Sequence, residues 1–408
     1  MITANEYTLR RNKLLNTLDD NSVTILFAGV GKKKSGDENY EFVPNKNFYY
    51  LTGIKQENSI LMLVKTDGEK FAYLFIDEKD ERIEKWIGYK LSAKEAKDIS
   101  GIENVFLRNT FDGKMLAFFE SNDAEFEPIK KFYLDLEDEL KIDTCKSTKD
   151  YKDELLITHQ LDVLDVHDII MKMRMVKSEA EIEMIKDAIN LTETGLMNCM
   201  LKLAPSKFEY NLRNEFNFVV HEDLDSRLAF SSIVAGGKNA TILHYPSQKD
   251  KLRDGDLVLF DVGAAKDFYC GDISRTYPVN EIVLNCNKQT AGFMRPGVTL
   301  KEVNEFAKNF LAEECFEKGL ISSKDEITRV YYHSVSHHLG LDTHDGTDRV
   351  SVLVPGNVIT CEPGLYFKEF GIGVRIEDDI LITETGSEVL SANIIKEVKD
   401  IEKAMESK

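Results

Sequence analysis

HSVSHHLGLDTHD, residues 333–345, holds four of the chain's eight histidines: His333, His337, His338 and His344. Imidazole is a common neutral metal ligand and titrates near neutral pH unaided, so this density points to a metal or proton-transfer site. A purification tag would be terminal and uninterrupted. This run is internal and interleaved with Val335, Leu339 and Leu341. A solvated surface can also collect histidines, and the flanking segments discriminate between the two readings.

Working outward, four carboxylates abut apolar or constrained backbone. Arg253-Asp254-Gly255-Asp256 reads as a turn, and Leu257 to Phe260 as a buried strand running into Asp261. Phe268 to Thr276 is predicted as a second strand containing Asp272, and a hairpin through Ala264 to Asp267 would bring the two acids together. Downstream, Val358 to Cys361 leads into Glu362-Pro363-Gly364, and Gly373-Val374-Arg375-Ile376 ends at Glu377. Carboxylates are rarely buried unless paired or metal-bound, because desolvating a lone charge costs several kcal/mol. Converging acids repel one another unless cations lie between them. An oxygen-rich set with one imidazole suits hard to borderline ions such as Mn²⁺, and five ligands suit two ions sharing carboxylates. Any single acid could simply end a strand in solvent; Asp261, Asp272, His337, Glu362 and Glu377 together fit that reading poorly.

The remaining chain supports a two-domain α/β (α+β) protein. Residues 5–20 are predicted helical, followed by a strand at Val23–Ala28 and a Gly/Lys loop, GVGKKKSGDEN, that lacks phosphate-loop spacing. Further predicted strands are Phe48–Leu51, Ile60–Lys65, Phe71–Ile76, Asn104–Leu107 and Lys131–Leu136, with helices at Ser92–Ile99 and Lys114–Glu120. From Leu155 to Leu203 the pattern turns helical, with Leu161, Leu164, Ile169 and Ile170 on an apolar face and Ser178 as an N-cap. The domain boundary is placed near Met171, giving domains 1–171 and 172–408. In the second, Phe230–Ala235 is a predicted strand, Lys301–Lys318 an amphipathic helix, and the tail from Ser391 to Lys408 a short helix.

The balance of 52 basic and 71 acidic residues, a net charge of −19, argues against sequence-independent nucleic-acid binding. No apolar run reaches the length of a membrane span, and the start lacks a secretory core. The six cysteines (Cys145, Cys199, Cys270, Cys286, Cys315, Cys361) are scattered without a CxxC pair, as expected of reduced thiols in a cytoplasm.

DVGAAKDFYCGDISRTYPVN, HSVSHHLGLDTHD, TCEPGLY and GIGVRIEDDI, in this order and spacing, resemble the aminopeptidase P and prolidase family of pita-bread metallopeptidases. ILHY (Ile242–Tyr245) and MRMVKSEAEIEMIKDA add to the likeness, while NKNFYYLTG and Trp86-Ile87-Gly88 resemble the amino-terminal domain of the aminopeptidase P branch. The resemblance implies a creatinase-like α/β domain followed by a pita-bread catalytic domain. It implies that Asp261 chelates one metal, His337 and Glu362 the other, and that Asp272 and Glu377 bridge the two. Manganese is the expected metal, with cobalt or zinc as substitutes. His244, His333 and His344 match residues that position substrate and the tetrahedral intermediate, and Arg375 matches an arginine beside the site. As a metal-bound carboxylate next to the nucleophile, Glu362 could move the proton to the leaving nitrogen. A metal-bridging hydroxide would attack the carbonyl of the bond before proline. The implied partners are proline-containing peptides and further copies of the chain, as a homodimer or homotetramer in which the tryptophan Trp86 resembles can reach a neighbouring site.

One departure stands out. Family members carry an additional turn and the start of a helix between the segments that here abut as Tyr277-Pro278-Val279-Asn280 and Glu281-Ile282-Val283-Leu284. No proposed ligand is lost.

The expected activity is removal of the first residue from peptides whose second residue is proline. A prolidase restricted to Xaa-Pro dipeptides would share every ligand; the amino-terminal likeness favours the aminopeptidase. A methionine aminopeptidase would leave the first domain without a counterpart. A non-catalytic pita-bread module that binds peptides or proteins is opposed by the complete ligand set, as is a creatinase-like hydrolase working without metal.

Overall fold

The computed structural model describes residues 2–119, 129, 131–136, 146–158, 163–346 and 352–406. Expectations for Glu120, Cys145, Leu161 and Lys408 lie outside them. The chain divides into two compact units, Met1–Met173 and Arg174–Lys408.

The first unit is a mixed six-stranded sheet with helices. In chain order its elements are α1 (Ala4–Thr17), β1 (Ser22–Phe27), α2 (Lys46–Thr52), β2 (Ile60–Thr66), β3 (Glu69–Ile76), α3 (Glu81–Ile87), α4 (Ala93–Ser100), β4 (Asn104–Leu107), α5 (Phe111–Phe119), β5 (Lys131–Leu134), α6 (Lys146–Thr158) and β6 (Val163–Asp165). The strand order is β4-β3-β2-β1-β5-β6, with β1, β2 and β3 antiparallel and the outer pairs parallel. The core lies under β1 and β2, where Val23, Ile25, Met62 and Val64 meet Phe75, Phe111 and Phe132.

Two expectations are corrected here. Phe48–Leu51 is not a strand but the middle of α2. Asn45 caps the start by accepting the Phe48 N–H, and Gly53 at φ 69° ends the helix in the left-handed conformation. Buried guanidinium groups of Arg10 and Arg11 then donate to the Tyr50 and Leu51 carbonyls that the helix end leaves open. Caps at both ends outweigh the strand preference of an aromatic run. Likewise Leu164 belongs to β6, an edge strand parallel to β5, so residues 155–203 are not one helical stretch. Isolated apolar residues at mixed spacing do not distinguish the two periods.

The second unit continues from α7 (His167–Met175), which spans the division, through α8 (Glu179–Lys202), α9 (Glu209–Glu222), β7 (Ser226–Leu228), β8 (Ile233–Gly236), β9 (Val258–Val262), β10 (Ala264–Lys266), β11 (Tyr269–Cys270), β12 (Ile273–Tyr277), α10 (Glu281–Phe293), α11 (Leu300–Glu317), α12 (Ile327–Val330), β13 (Val358–Cys361), β14 (Gly364–Phe367), β15 (Ile372–Arg375), β16 (Asp378–Ile382), β17 (Ser387–Val389) and α13 (Val398–Glu406). Ser178 caps α8 as expected, completing a capping box with Glu181. The shortened connection after β12 closes directly: Asn280 caps α10, its side chain accepting the N–H groups of Ile282 and Val283. The predicted strand from Phe230 begins only at Ile233, and the tail helix only at Val398.

Two bent antiparallel hairpins dominate this unit. One arm runs β9 then β10 and returns as β11 then β12; the other runs β13 then β14 and returns as β15 then β16. The predicted single strand Phe268–Thr276 is thus broken, at Gly271-Asp272. The cause is a close approach: a Cβ on Gly263 would lie 2.1 Å from the Gly271 carbonyl oxygen, so only glycine lets the two chains bend together. The second hairpin breaks at Glu362-Pro363 and at Ile376-Glu377. Breaks in a ladder re-aim side chains, and here each break presents a carboxylate.

A third glycine sets the cavity wall. A Cβ on Gly373 in β15 would lie 2.0 Å from the Ala240 carbonyl oxygen, in the 3₁₀ turn Gly237–Thr241 that precedes His244. Gly373→Ala should therefore cost about 1–3 kcal/mol. It should lower the thermal midpoint measurably; an unchanged midpoint would show that the turn moves freely away from β15.

Candidate active site

Four acids, three of them at strand breaks and Asp261 within β9, converge with one imidazole on a single cavity of about 920 Å³. Asp261 lies in β9 opposite Ser274, Asp272 immediately precedes β12, Glu362 follows β13 and Glu377 precedes β16. Ligand atoms of Asp272, His337 and Glu377 all lie within 4.8 Å of one another. His337 Nε2 is 3.5 Å from Asp272 Oδ2 and 3.6 Å from Glu362 Oε1. His244, His333, His344 and Arg375 line the same cavity, so every site residue expected from sequence is brought to one place.

The tautomer of His337 shows what the cluster is built for. Its Nδ1 lies 3.1 Å from the His338 carbonyl oxygen, an acceptor that calls for the proton on Nδ1. Nε2 then turns a lone pair toward two carboxylates. Electron-rich atoms facing one another in this way fit a cation, and a carbonyl behind the ring is the usual support of a ligating histidine.

The electrostatics agree. Burial raises the Asp272 carboxyl well above its ordinary range, and Glu377 and Asp261 raise it further. Burial does the same to Glu377, with Glu362 and Asp261 adding to it. Glu362 is pushed up to about 8, by burial first and by Asp261, against the opposing charge of Arg375. Clustered acids of this kind favour either protons or cations among them.

Neighbours hold each group in place. Arg375 donates to Asp261 at 2.5 Å, to Ser274 Oγ at 2.8 Å and to Tyr366 Oη at 3.1 Å. Ser274 in turn donates its hydroxyl to Glu377 at 2.7 Å. His333 has Nδ1 at 2.8 Å from the Ser334 carbonyl and Nε2 at 2.9 Å from Tyr366 Oη. Burial, with Arg375 and His244, lowers its pKa to about 4, so at neutral pH the ring is neutral. The partners put its proton on Nδ1, and Tyr366 donates to Nε2. His344 is exposed, with its ring centroid 4.1 Å from that of His337. His244 is also exposed, on the loop after the turn that Gly373 accommodates.

Behind the ligands, the Asp272 N–H donates to Asp379, and Arg275 bonds Asp378 and the Glu377 carbonyl oxygen. Burial would raise Asp378, but Arg275 and Lys396 outweigh it and hold the group at about 2.

Sequence reading passed over Ser274, Tyr366, Asp379 and Arg275. Ser274 is two residues after Asp272 and Tyr366 two after Gly364, so strand alternation was the available signal. Only the fold shows that those faces meet.

Comparison with known proteins places this geometry. Residues 183–384 match the sequence model of metallopeptidase family M24, and residues 7–126 match that of the aminopeptidase P N-terminal domain. The Xaa-Pro aminopeptidase of Haemophilus influenzae is 30% identical over 430 residues, covering 98% of this chain and 97% of that protein. A solved structure of a candidate aminopeptidase P from Bacillus anthracis has 42% identity and a TM-score of 0.95, covering 100% of this chain and 99% of that one. The structure of Escherichia coli aminopeptidase P with the inhibitor Pro-Leu has 29% identity and a TM-score of 0.87, with the same coverage. Both halves of the chain, its ordered motifs and its bent hairpins agree: it belongs to the aminopeptidase P family of M24 metallopeptidases, peptide-bond hydrolases that depend on divalent metal.

Proposed function

We propose that this protein is a dinuclear-metal aminopeptidase that hydrolyses the N-terminal Xaa-Pro bond of peptides, with Mn²⁺ as its metal. The observation that carries the reading is the convergence of Asp261, Asp272, His337, Glu362 and Glu377 on one cavity. The Xaa-Pro specificity named for the relatives from Haemophilus influenzae and Escherichia coli supports it. At about 920 Å³ the cavity is near the top of the ~300–1,000 Å³ range of ligand pockets, and the match of residues 7–126 to the aminopeptidase P N-terminal domain supports the aminopeptidase over the dipeptidase.

In this reading Asp261 holds one cation, His337 and Glu362 the other, and Asp272 and Glu377 both. Two cations so held would supply a bridging hydroxide nucleophile near neutral pH and a Lewis acid for the carbonyl. The chain's own groups do the rest. Glu362, beside the nucleophile, takes the proton of the attacking water and delivers it to the proline nitrogen. His344 donates to the carbonyl oxygen as that atom gains charge, and His244 anchors a substrate backbone group. Arg375 fixes Asp261, and neutral His333 with Tyr366 fixes the wall beside Glu362. A bond before proline offers no N–H and a rigid ring, so a dedicated site is physically reasonable.

The same reading assigns residues 1–171 to an N-terminal domain of the aminopeptidase P type and 172–408 to the catalytic domain. It also takes the protein to be a cytoplasmic homodimer or homotetramer; no described helix is long and apolar enough to cross a membrane.

The decisive experiment compares an Xaa-Pro-Yaa tripeptide with the matching Xaa-Pro dipeptide, with added Mn²⁺ and with chelator. Mn²⁺-dependent release of Xaa from the tripeptide is expected. Cleavage of the dipeptide alone would make the protein a prolidase, and folded, metal-loaded protein that cleaves neither would reduce it to a binding module.

A further inference from the structure

Part of the sequence signature, Arg174 to Glu181, puts no side chain into the cavity, yet it buries two cations behind it. Arg174 Nη2 lies 2.6 Å from Asp342 Oδ2 and 2.5 Å from Asp345 Oδ1. Lys177 Nζ lies 3.4 Å from the other oxygen of Asp345. These two carboxylates bracket His344, one two residues before it and one directly after.

The loop is tied at further points. The Asp345 carboxylate accepts the Leu341 N–H at 3.2 Å, and the Asp345 N–H donates to the His338 carbonyl at 2.8 Å. Gly340 is where the carboxylate enters: a Cβ there would lie 1.9 Å from Asp345 Oδ2. The Gly340 carbonyl accepts the Cys270 N–H at 2.8 Å, two residues before Asp272. On the other side the Lys177 N–H donates to the Gly356 carbonyl at 2.8 Å.

An exposed imidazole on a loop would ordinarily sample many positions, whereas hydrogen bonding to a developing oxyanion demands placement to about 0.5 Å. Both contacts run to the one nitrogen Nη2, so a single buried cationic point ties the carboxylates on either side of His344 together and limits how far the loop can move. We propose that Arg174, gripping Asp342 and Asp345, is the positioning residue for His344, setting the imidazole against the reacting carbonyl without touching substrate. The proposal rests on the role given to His344 above.

The test uses full-length, Mn²⁺-loaded protein with an Xaa-Pro-Yaa tripeptide. Arg174→Lys keeps the charge but ends short of the position from which Nη2 reaches both carboxylates. Asp342→Asn weakens the grip at a residue whose side chain is 45% exposed, so that variant folds even if the first does not. Each is measured alone and in a His344→Ala background, with metal content and thermal midpoint recorded. Expected are a kcat loss of tenfold or more for Arg174→Lys and about threefold for Asp342→Asn, with KM and metal content unchanged. In the His344→Ala background neither change should slow the enzyme further. The same fractional loss in both backgrounds, or no loss in either, would overturn the proposal. Wild-type protein that binds Mn²⁺ yet cleaves no peptide would overturn the function beneath it, and that result precedes any variant.

Discussion

Glu362→Gln should lower kcat on an Xaa-Pro-Yaa peptide by about 10³-fold or more, with KM changed by no more than a few-fold. The amide has the carboxylate's shape but can neither take up a proton nor offer an anionic ligand, so two contributions vanish together. General acid–base transfer alone is worth about 10²–10⁴. Substrate binding should survive, since the apolar wall of the cavity around Phe230 and Leu243 is untouched. Stability gives an independent readout. In the metal-free protein the Glu362 carboxyl, with its pKa at about 8, is mostly protonated at neutral pH. Glutamine imitates that neutral acid. Metal-free Glu362→Gln should thus be at least as thermally stable as metal-free wild type at pH 8. A variant that unfolds early would show that the residue is there for packing. One that retains full activity would remove Glu362 from the chemistry.

The second large effect is a divergence with pH between metal-free and Mn²⁺-loaded protein. Glu362 has a folded pKa of about 8 against an ordinary 4.5, so the folded state binds the extra proton. Stability from that group is complete below about 4.5 and is lost as pH climbs toward 8. Asp272 and Glu377 shift in the same direction. A rise of three to four pKa units corresponds to roughly 5 kcal/mol, shared among acids that titrate together. Chelated protein should therefore lose thermal stability steadily from about pH 5 to pH 8. Bound cations replace the protons, and at 100 times their Kd they add about 2.7 kcal/mol. The gap between the two midpoints should be small near pH 5 and exceed about 5 °C at pH 8. Differential scanning at four or five pH values measures it. A gap that stays constant, or a chelated protein that becomes more stable toward pH 8, would mean that the acids are not buried together as described.

Much of this site was legible before any coordinates. The candidate ligand residues stood out because each acid sits against an apolar strand or a Pro-Gly constraint, where an unpartnered charge is costly. Ser178 announced the start of α8 for a similarly local reason: a hydroxyl three residues before a glutamate closes a capping box whatever the rest of the chain does. The near-continuous apolar runs Ile60–Lys65 and Phe71–Ile76 likewise mark central strands of the first unit's sheet.

Errors fell where local preference and tertiary context disagree. Phe48–Leu51 has strand-forming side chains, but arginines 40 residues earlier in the chain satisfy the helix end. No window of sequence contains both partners. The break at Gly271-Asp272 is similar, since it depends on Gly263 arriving opposite Gly271 across the hairpin.

The sequence by itself singled out the candidate site residues: four carboxylates, a histidine cluster and an arginine whose types and neighbours restrict what they can do. Only the tertiary structure decided how they meet. It set the bends that turn Asp272, Glu362 and Glu377 inward, the carbonyl that orients His337, and the Arg174 grip on the His344 loop. The physical reason is one of range. Burial cost, capping and strand periodicity act over a few residues, whereas a hydrogen bond or ion pair between residues 174 and 345 exists only once the chain has folded.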